Sequence, residues 1–361
     1  MIIIDKRRLK PPDQLSPRVR ALLAPILAPA SLLYGLGMEV WRRLPCKATD
    51  LGRPVVSVGS IMVGGTGTTP LCIRIASELS RQGRRVCILS RGYMRKAKRS
   101  PLVVSDGRGA LATVAEAGDE PYLMARRLPK VCVVVDKDRL RAARHAMSVL
   151  GPDVFVLDDG LQTRTVVKTI ELVCVDVAGL ASRQYLLPLG RLRERWSHVG
   201  ADTVIVVLME SGDSGPGWVI PKGRSRSTIF GAVRESTGVM NSAGAPMEAR
   251  DCSGLRVLAL SGIGRPHQFE AACVRAGLNV AAALRMDDHH WYHRRDAQAI
   301  RSLMERHRCA SIVTTEKDLN RLPEELRPMT LVLQSDLTLL DAEGFWAMIN
   351  ARLSGGEVGG V

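Results

Sequence analysis

The sequence predicts an α/β fold, a mostly parallel sheet covered by helices, with a smaller C-terminal α/β domain behind it. Short β-branched runs such as PVVSVGS (54–60), KVCVVVD (130–136) and DTVIVVL (202–208) alternate with amphipathic stretches, and unbroken apolar runs of this length mark strands buried on both faces. The same rhythm restarts near Gly254, after the Gly-, Pro- and Ser-rich stretch SGDSGPGWVIPKGRS (211–225), which has the composition of a connection. With 361 residues the chain is long enough for two modest domains, each with a core.

Taken in order, the first element is ALLAPILAPASLLYGLGM (21–38), a charge-free run between Arg18 and Arg20 on one side and Arg42 and Arg43 on the other. Its length makes it a candidate membrane span, but Pro25 and Pro29 interrupt a helix and Glu39 closes it. Polar residues precede it and no small-residue cleavage site follows, unlike a signal peptide. A short, broken, monotopic helix in the cytoplasmic membrane interface is the expectation; a buried helix packed on the core is the alternative. RRVCILS (84–90), DVFVLDD (153–159) and IELVCVD (170–176) supply further strands, and 69–82 and 138–149 carry helical spacing. Ligands of such a layered domain sit at the carboxyl ends of the strands. The second rhythm runs LRVLALSGIG, a helix over 266–277, LNVAAALRM, a helix over 293–307, and CASIVTTEKD. These elements divide the chain into a membrane-associated segment 1–50, a core 51–225, a C-terminal domain 226–353 and a disordered tail 354–361. No internal repeat is visible.

Eight cysteines are scattered without a CxxC pair, which suggests neither a metal nor a disulfide framework and favours a reducing compartment. The net charge of +15 points to an anionic partner or to drift toward arginine. Nucleic acid is disfavoured, since there is no recognisable binding module and few aromatics for stacking. An anionic membrane surface or a phosphorylated substrate fits the charge as well.

Four motifs carry chemistry. Met62-Val63-Gly64-Gly65-Thr66-Gly67-Thr68-Thr69 lies between a strand and a helix. It misses the strict phosphate loop G-x-x-x-x-G-K-[ST] twice: Met62 stands at the leading glycine and Thr68 at the lysine. The remaining glycines would let backbone N–H groups converge on phosphate, with Thr69 as the magnesium-side hydroxyl; a bare glycine turn is the alternative. Asp158 and Asp159 end an apolar strand, where magnesium finds oxygen ligands, although Asp-Gly is also turn chemistry. GDEP (118–121) opens a helix, with Asp119 either functional or its N-cap and Glu120 a first-turn acid. DDHHWYH (287–293) places His289, His290 and His293 together. With no third-ligand group nearby, a His–Asp acid/base pair is a better reading than zinc.

The order and spacing of VVSVGS…GGTGTTP, LSRGY (89–93), GDEP, DVFVLDDGLQ, LLPLGRLRE (186–194), GIGRP (262–266), DDHH and TTEKD (314–318) resemble the tetraacyldisaccharide 4'-kinase family, the lipid A 4'-kinases of Gram-negative envelope biogenesis. The resemblance runs from about residue 18 to beyond 320. It implies a P-loop NTPase-like fold and transfer of the γ-phosphate of ATP, with Mg²⁺, to the 4'-hydroxyl of tetraacyldisaccharide 1-phosphate, giving lipid IVA. The implied partners are this lipid precursor and the cytoplasmic face of the inner membrane, with no nucleic acid and no obligate protein partner. Residue by residue, Asp119 matches the catalytic base and His289 the histidine that pairs with it. Glu120, Thr69, Asp158 and Asp159 match positions around Mg²⁺ and the phosphates, residues 62–69 match the phosphate loop, and Arg91 is a further phosphate contact.

The chain departs from that pattern in several places. The family's GKTP is GTTP here, its DDGLQH is DDGLQT with Thr163, Arg265 replaces the asparagine after GIG, and LSRGYG becomes LSRGYM before the basic run RKAKR (95–99). Thr68 cannot place a charge between the β- and γ-phosphates, a contribution worth several kcal/mol. Lys96 or Lys98 could take over the charge, or the chain is a pseudokinase that binds nucleotide or lipid without turnover. A different phosphotransferase or GTP switch would leave DDHH, GDEP and the N-terminal segment unexplained. The role of TTEKD does not follow from the sequence.

Overall fold

The computed structural model describes residues 1–7, 17–177, 185–210 and 228–355. The expected connection 211–225 and most of the expected disordered tail fall outside them. The chain forms two compact units: a smaller one of Met1–Lys10 and Arg234–Asp336, and a larger one of Pro11–Val233 and Leu337–Val361.

The chain opens with strand β1 (Ile2–Asp5) in the smaller unit, followed by helix α1 (Pro17–Arg43) in the larger. The larger unit then contributes β2 (Val55–Gly59), helix α2 (Thr68–Arg81), β3 (Val86–Ser90), β4 (Leu102–Asp106), β5 (Cys132–Val135), β6 (Val154–Asp158), β7 (Ile170–Asp176) and β8 (Val204–Glu210). Their order is β8-β7-β2-β6-β3-β5-β4. Neighbours are parallel except β4, which runs antiparallel to β5. Every residue of β2, β3 and β6 is buried, as their unbroken apolar composition requires. Helix α2 covers them with Leu71, Cys72, Ile75, Ala76 and Leu79, all fully buried at helical spacing. Strand β9 (Ile229–Asn241) carries the chain into the smaller unit. There β10 (Arg256–Ser261), β11 (Asn279–Arg285), β12 (Ser311–Thr315) and β13 (Thr330–Leu339) follow, in the order β1-β11-β10-β12-β13 and all parallel. Helices Pro266–Arg275 and Arg294–Arg306 lie between these strands in sequence.

Three expectations need correction. Residues 1–50 are not one segment: Ile2–Asp5 pairs with Ala282–Arg285, since a β-branched tetrapeptide can extend a sheet edge that a later strand supplies. Nor does 226–353 form one domain. The helix Ala342–Leu353 belongs to the larger unit, where Phe345 meets Phe230 edge to face at 5.2 Å. Finally, α1 is a single helix of 27 residues with Pro25 and Pro29 inside it. The prolines stand four apart and both are exposed, so the two missing hydrogen bonds fall on one open face and the rest of the ladder survives.

One face of α1 is anchored by polar contacts. Ser31 Oγ donates to the Leu186 carbonyl at 2.8 Å and Tyr34 OH to the Arg193 carbonyl at 3.0 Å. Arg42 pairs with Glu194 at 2.8 Å, and Arg164 donates to the carbonyls of Trp41 and Leu44. Leu22, Ile26, Leu32, Leu33, Leu36 and Val40 are exposed. By length and composition Leu22–Arg43 is apolar enough to cross a membrane.

Candidate active site

The glycine loop leaves β2 and enters α2 at its N-terminus. Gly64, Gly65 and Gly67 have φ of +77°, +61° and +83°, conformations that side chains tolerate poorly. Gly67 is the N-cap and offers no side-chain cap, so the first amides of α2 keep their capacity for an anion. A single buried arginine holds the loop from behind. Arg191 donates to the Val63 carbonyl at 2.9 Å and to the Gly64 carbonyl at 2.7 Å, accepts the Val63 amide on its own carbonyl at 2.9 Å, and is paired with Asp176 at 3.0 Å. In a planar trans peptide the next N–H points opposite the carbonyl. Pinning these two carbonyls therefore turns the amides of the exposed Gly64 and Gly65 away from Arg191, toward the open side of the loop. Thr68 and Thr69 are half-buried at the start of α2.

Beside the loop, β6 delivers Asp158 into a buried position. Its Oδ2 accepts from Ser90 Oγ at 2.7 Å, and Cys72 Sγ lies 3.8 Å from Oδ1. Burial, followed by the charge of Glu120, pushes the Asp158 carboxyl up to about 7. Asp159, in the left-handed region at φ +47°, faces elsewhere: both its oxygens accept from Arg193 Nη1, at 2.8 and 2.9 Å. The structure thus brings Asp158, Glu120 and Asp159 into one electrostatic neighbourhood, with Asp159 also paired to an arginine. Among the described residues no three His, Cys, Asp or Glu side chains form a metal cage. Mg²⁺ does not need one, because it takes one or two carboxylates and completes its shell with water and phosphate. Oxygen donors under mutual repulsion fit that ion.

GDEP and LSRGY are packed together through their glycines. A Cβ on Gly118 would lie 2.9 Å from the Tyr93 carbonyl, and one on Gly92 would lie 3.1 Å from the Ala117 carbonyl. The N-cap of the helix Asp119–Arg127 is Gly118, so Asp119 is not the cap. It is buried in the first turn, and its Oδ1 accepts the Glu120 amide at 3.0 Å. Arg91, Lys96 and Lys98 are exposed, and the Lys96 amide is anchored on the Ala115 carbonyl.

In the smaller unit, the three histidines of DDHHWYH separate. His290 bonds Asp296 at 3.0 Å, and His293 caps the helix Arg294–Arg306. His289 has φ +60°, and its amide donates to the Gly262 carbonyl at 3.2 Å. Among the described residues these histidines belong to no group of three His, Cys, Asp or Glu that could hold a metal ion. Arg191 and Arg193 went unremarked as individual site residues in the sequence; the signal was a pair of arginines in LLPLGRLRE with an acid ending each of two apolar strands.

A parallel sheet with a glycine loop between strand and helix, and a buried carboxylate at the end of the adjacent strand, defines a P-loop NTPase-like protein. A family model described as Tetraacyldisaccharide-1-P 4'-kinase, LpxK, matches residues 23–354, and the chain belongs to that family. It is similar to tetraacyldisaccharide 4'-kinase of Anaeromyxobacter sp. (strain K), 39% identical over 84% of this chain and 80% of the relative. The Pelobacter propionicus kinase is 36% identical over 89% of this chain and 90% of the relative. A crystal structure of LpxK from Aquifex aeolicus in complex with ATP is similar with TM-score 0.73 and 28% identity, covering 93% of this chain and 99% of that one.

Proposed function

We propose that the chain transfers the γ-phosphate of ATP to the 4'-hydroxyl of tetraacyldisaccharide 1-phosphate, forming lipid IVA and ADP. The observation that carries this reading is the family match over residues 23–354, with a glycine loop whose amides are oriented for phosphate in spite of Thr68. Asp119 takes the proton of the 4'-hydroxyl as that oxygen attacks the γ-phosphorus, and His289 is assigned to the base by family resemblance. The loop residues 62–69 would hold the phosphates, Thr69, Glu120, Asp158 and Asp159 would stand around Mg²⁺, and Arg91 would steady phosphate. Arg193 holds Asp159 beside them. Mg²⁺ supplies neutralisation of charge on the β- and γ-phosphate oxygens. The exposed apolar face of α1, between arginines at its ends, suits a helix lying in an anionic membrane surface, consistent with a peripheral or monotopic enzyme at the cytoplasmic face of the inner membrane. Neither nucleic acid nor an obligate protein partner is required. The pseudokinase alternative rests on Thr68 alone, and the retained Asp119, Glu120 and Asp158 disfavour it.

The test follows labelled γ-phosphate from ATP to tetraacyldisaccharide 1-phosphate in detergent micelles. Turnover by the wild type that Asp119→Ala abolishes is the expected result. Silence from both wild type and Thr68→Lys, with ATP binding intact, would overturn it in favour of the binding protein.

A further inference from the structure

TTEKD is the one motif that the phosphate site does not absorb, and its place in the smaller unit is well defined. Thr315 ends β12 and caps a one-turn helix, Glu316–Leu319, its Oγ1 accepting the Asp318 amide at 3.0 Å. The Asp318 carboxylate is fully buried and accepts from Thr315 Oγ1 at 2.8 Å, Tyr292 OH at 3.2 Å, the Gly262 amide at 3.2 Å and Arg321 Nη2 at 2.7 Å. A side chain at Gly262 would crowd the hub, because a Cβ there would lie 3.0 Å from both the Asp287 carbonyl and Asp318 Oδ1. Its carbonyl in turn holds the His289 amide at 3.2 Å. A saturated buried hub therefore fixes the TTEKD turn and the DDHH loop against the same glycine.

The hub sets one side chain against the ring of His289: Lys317 Nζ stands 3.4 Å from Nε2. An ammonium group only donates, so Nε2 facing it must be the lone-pair nitrogen, and the ring proton belongs on Nδ1. Asp288 Oδ1, 3.8 Å from Nε2, favours the opposite arrangement but lies beyond hydrogen-bond reach. Of the other titratable groups on the two packed segments, Asp318 is bonded to Arg321 and Tyr292, His290 to Asp296, and Asp287, His293 and Glu316 complete the set. We propose that Lys317 is a positioning residue for the reaction: it selects the neutral Nδ1–H tautomer of His289, leaving that N–H to donate to a carboxylate, with Asp318 as the anchor that places it. This rests on the reading of His289 as the partner of the catalytic base. It gives TTEKD a task that needs no nucleotide.

The test uses the full-length protein with ¹⁵N-labelled histidine, the His289 signals being assigned by their absence in His289→Gln. Wild type and Lys317→Arg are expected to show the neutral Nδ1–H pattern at pH 7.5. Lys317→Met should move His289 toward the Nε2–H form. In Lys317→Met, kcat/KM at neutral pH should fall about 10-fold, with Lys317→Arg close to wild type and the melting temperature unchanged. Identical His289 spectra in wild type and Lys317→Met overturn the proposal. The spectra require no turnover, so an inactive enzyme with the expected spectra sinks the kinase reading and leaves only the tautomer assignment, whereas unchanged spectra in an active enzyme sink this proposal alone.

Discussion

Two of the strand-to-helix junctions at the carboxyl ends of parallel strands, the one after β2 and the one after β10, use their amides in opposite ways. After β10 the Gly262 amide points at Asp318, an internal anion held by Arg321, Tyr292 and Thr315. After β2, among the described residues, no carboxylate is bonded to the loop amides; instead Arg191 occupies the carbonyls of Val63 and Gly64, and Gly64 and Gly65 stay exposed. Amides converging at such a junction attract negative charge. Where the protein supplies that charge itself, the junction becomes a structural hub. Where it fixes the carbonyls instead, the junction is open to phosphate.

If the open junction is the seat of the chemistry, its neighbour Asp119 gives the largest effect. Asp119→Ala should lower kcat by about 10³-fold while ATP affinity stays within a few-fold, measured by steady-state transfer and calorimetric titration. At the closed junction, Asp318→Ala strands Arg321 as a buried charge. It should cost about 3–5 kcal/mol of stability, read from denaturant unfolding, with Arg321→Met less damaging when combined with it than alone. A smaller effect sharpens the contrast. Arg191→Met frees the loop carbonyls and should raise KM for ATP about 10-fold with a lesser change in kcat; an unchanged KM would mean the loop holds its shape without the arginine.

The smallest effect is on pH dependence. The Asp158 carboxyl sits at about 7, above its ordinary 3.8, from burial and then from the charge of Glu120. The folded state therefore keeps a proton that the unfolded state has released, and the group's favourable contribution is lost as pH rises from about 4 to 7. Asp158→Asn should flatten this limb, giving a melting temperature a few degrees above wild type at pH 8 without ligand. It should also lose the stabilisation that Mg²⁺ with ATP confers.

Much of this was legible in the sequence. The runs that became β2, β3, β6, β7, β8, β10 and β11 have periodicity that decides their state within a few residues, and the helices over 68–81 and 294–306 are amphipathic by themselves. The glycine loop and the acids Asp119, Glu120 and Asp158 could be singled out as candidates because the residue types needed for phosphate and metal are few. What stayed hidden depends on partners far away in the chain. Ile2–Asp5 is a strand only because Ala282–Arg285 is there to pair with it. The ion pair of Asp159 with Arg193 is announced by nothing near it in the sequence. Arg191, 128 residues from Val63, carries no local sign that it grips the loop. The continuity of α1 through Pro25 and Pro29 depends on which face they occupy, and a local breaker rule does not see that.

The contrast between the two junctions is tested most directly by backbone hydrogen exchange of the full-length protein with and without Mg²⁺ and ATP, read over the peptides spanning residues 60–70 and 258–266. Without ligand, the amides of Gly64 and Gly65 should exchange rapidly and that of Gly262 slowly; nucleotide should slow the first pair markedly and leave Gly262 unchanged. Unaltered exchange at 60–70 under saturating Mg²⁺ and ATP, or rapid exchange at Gly262 in either state, would contradict the account.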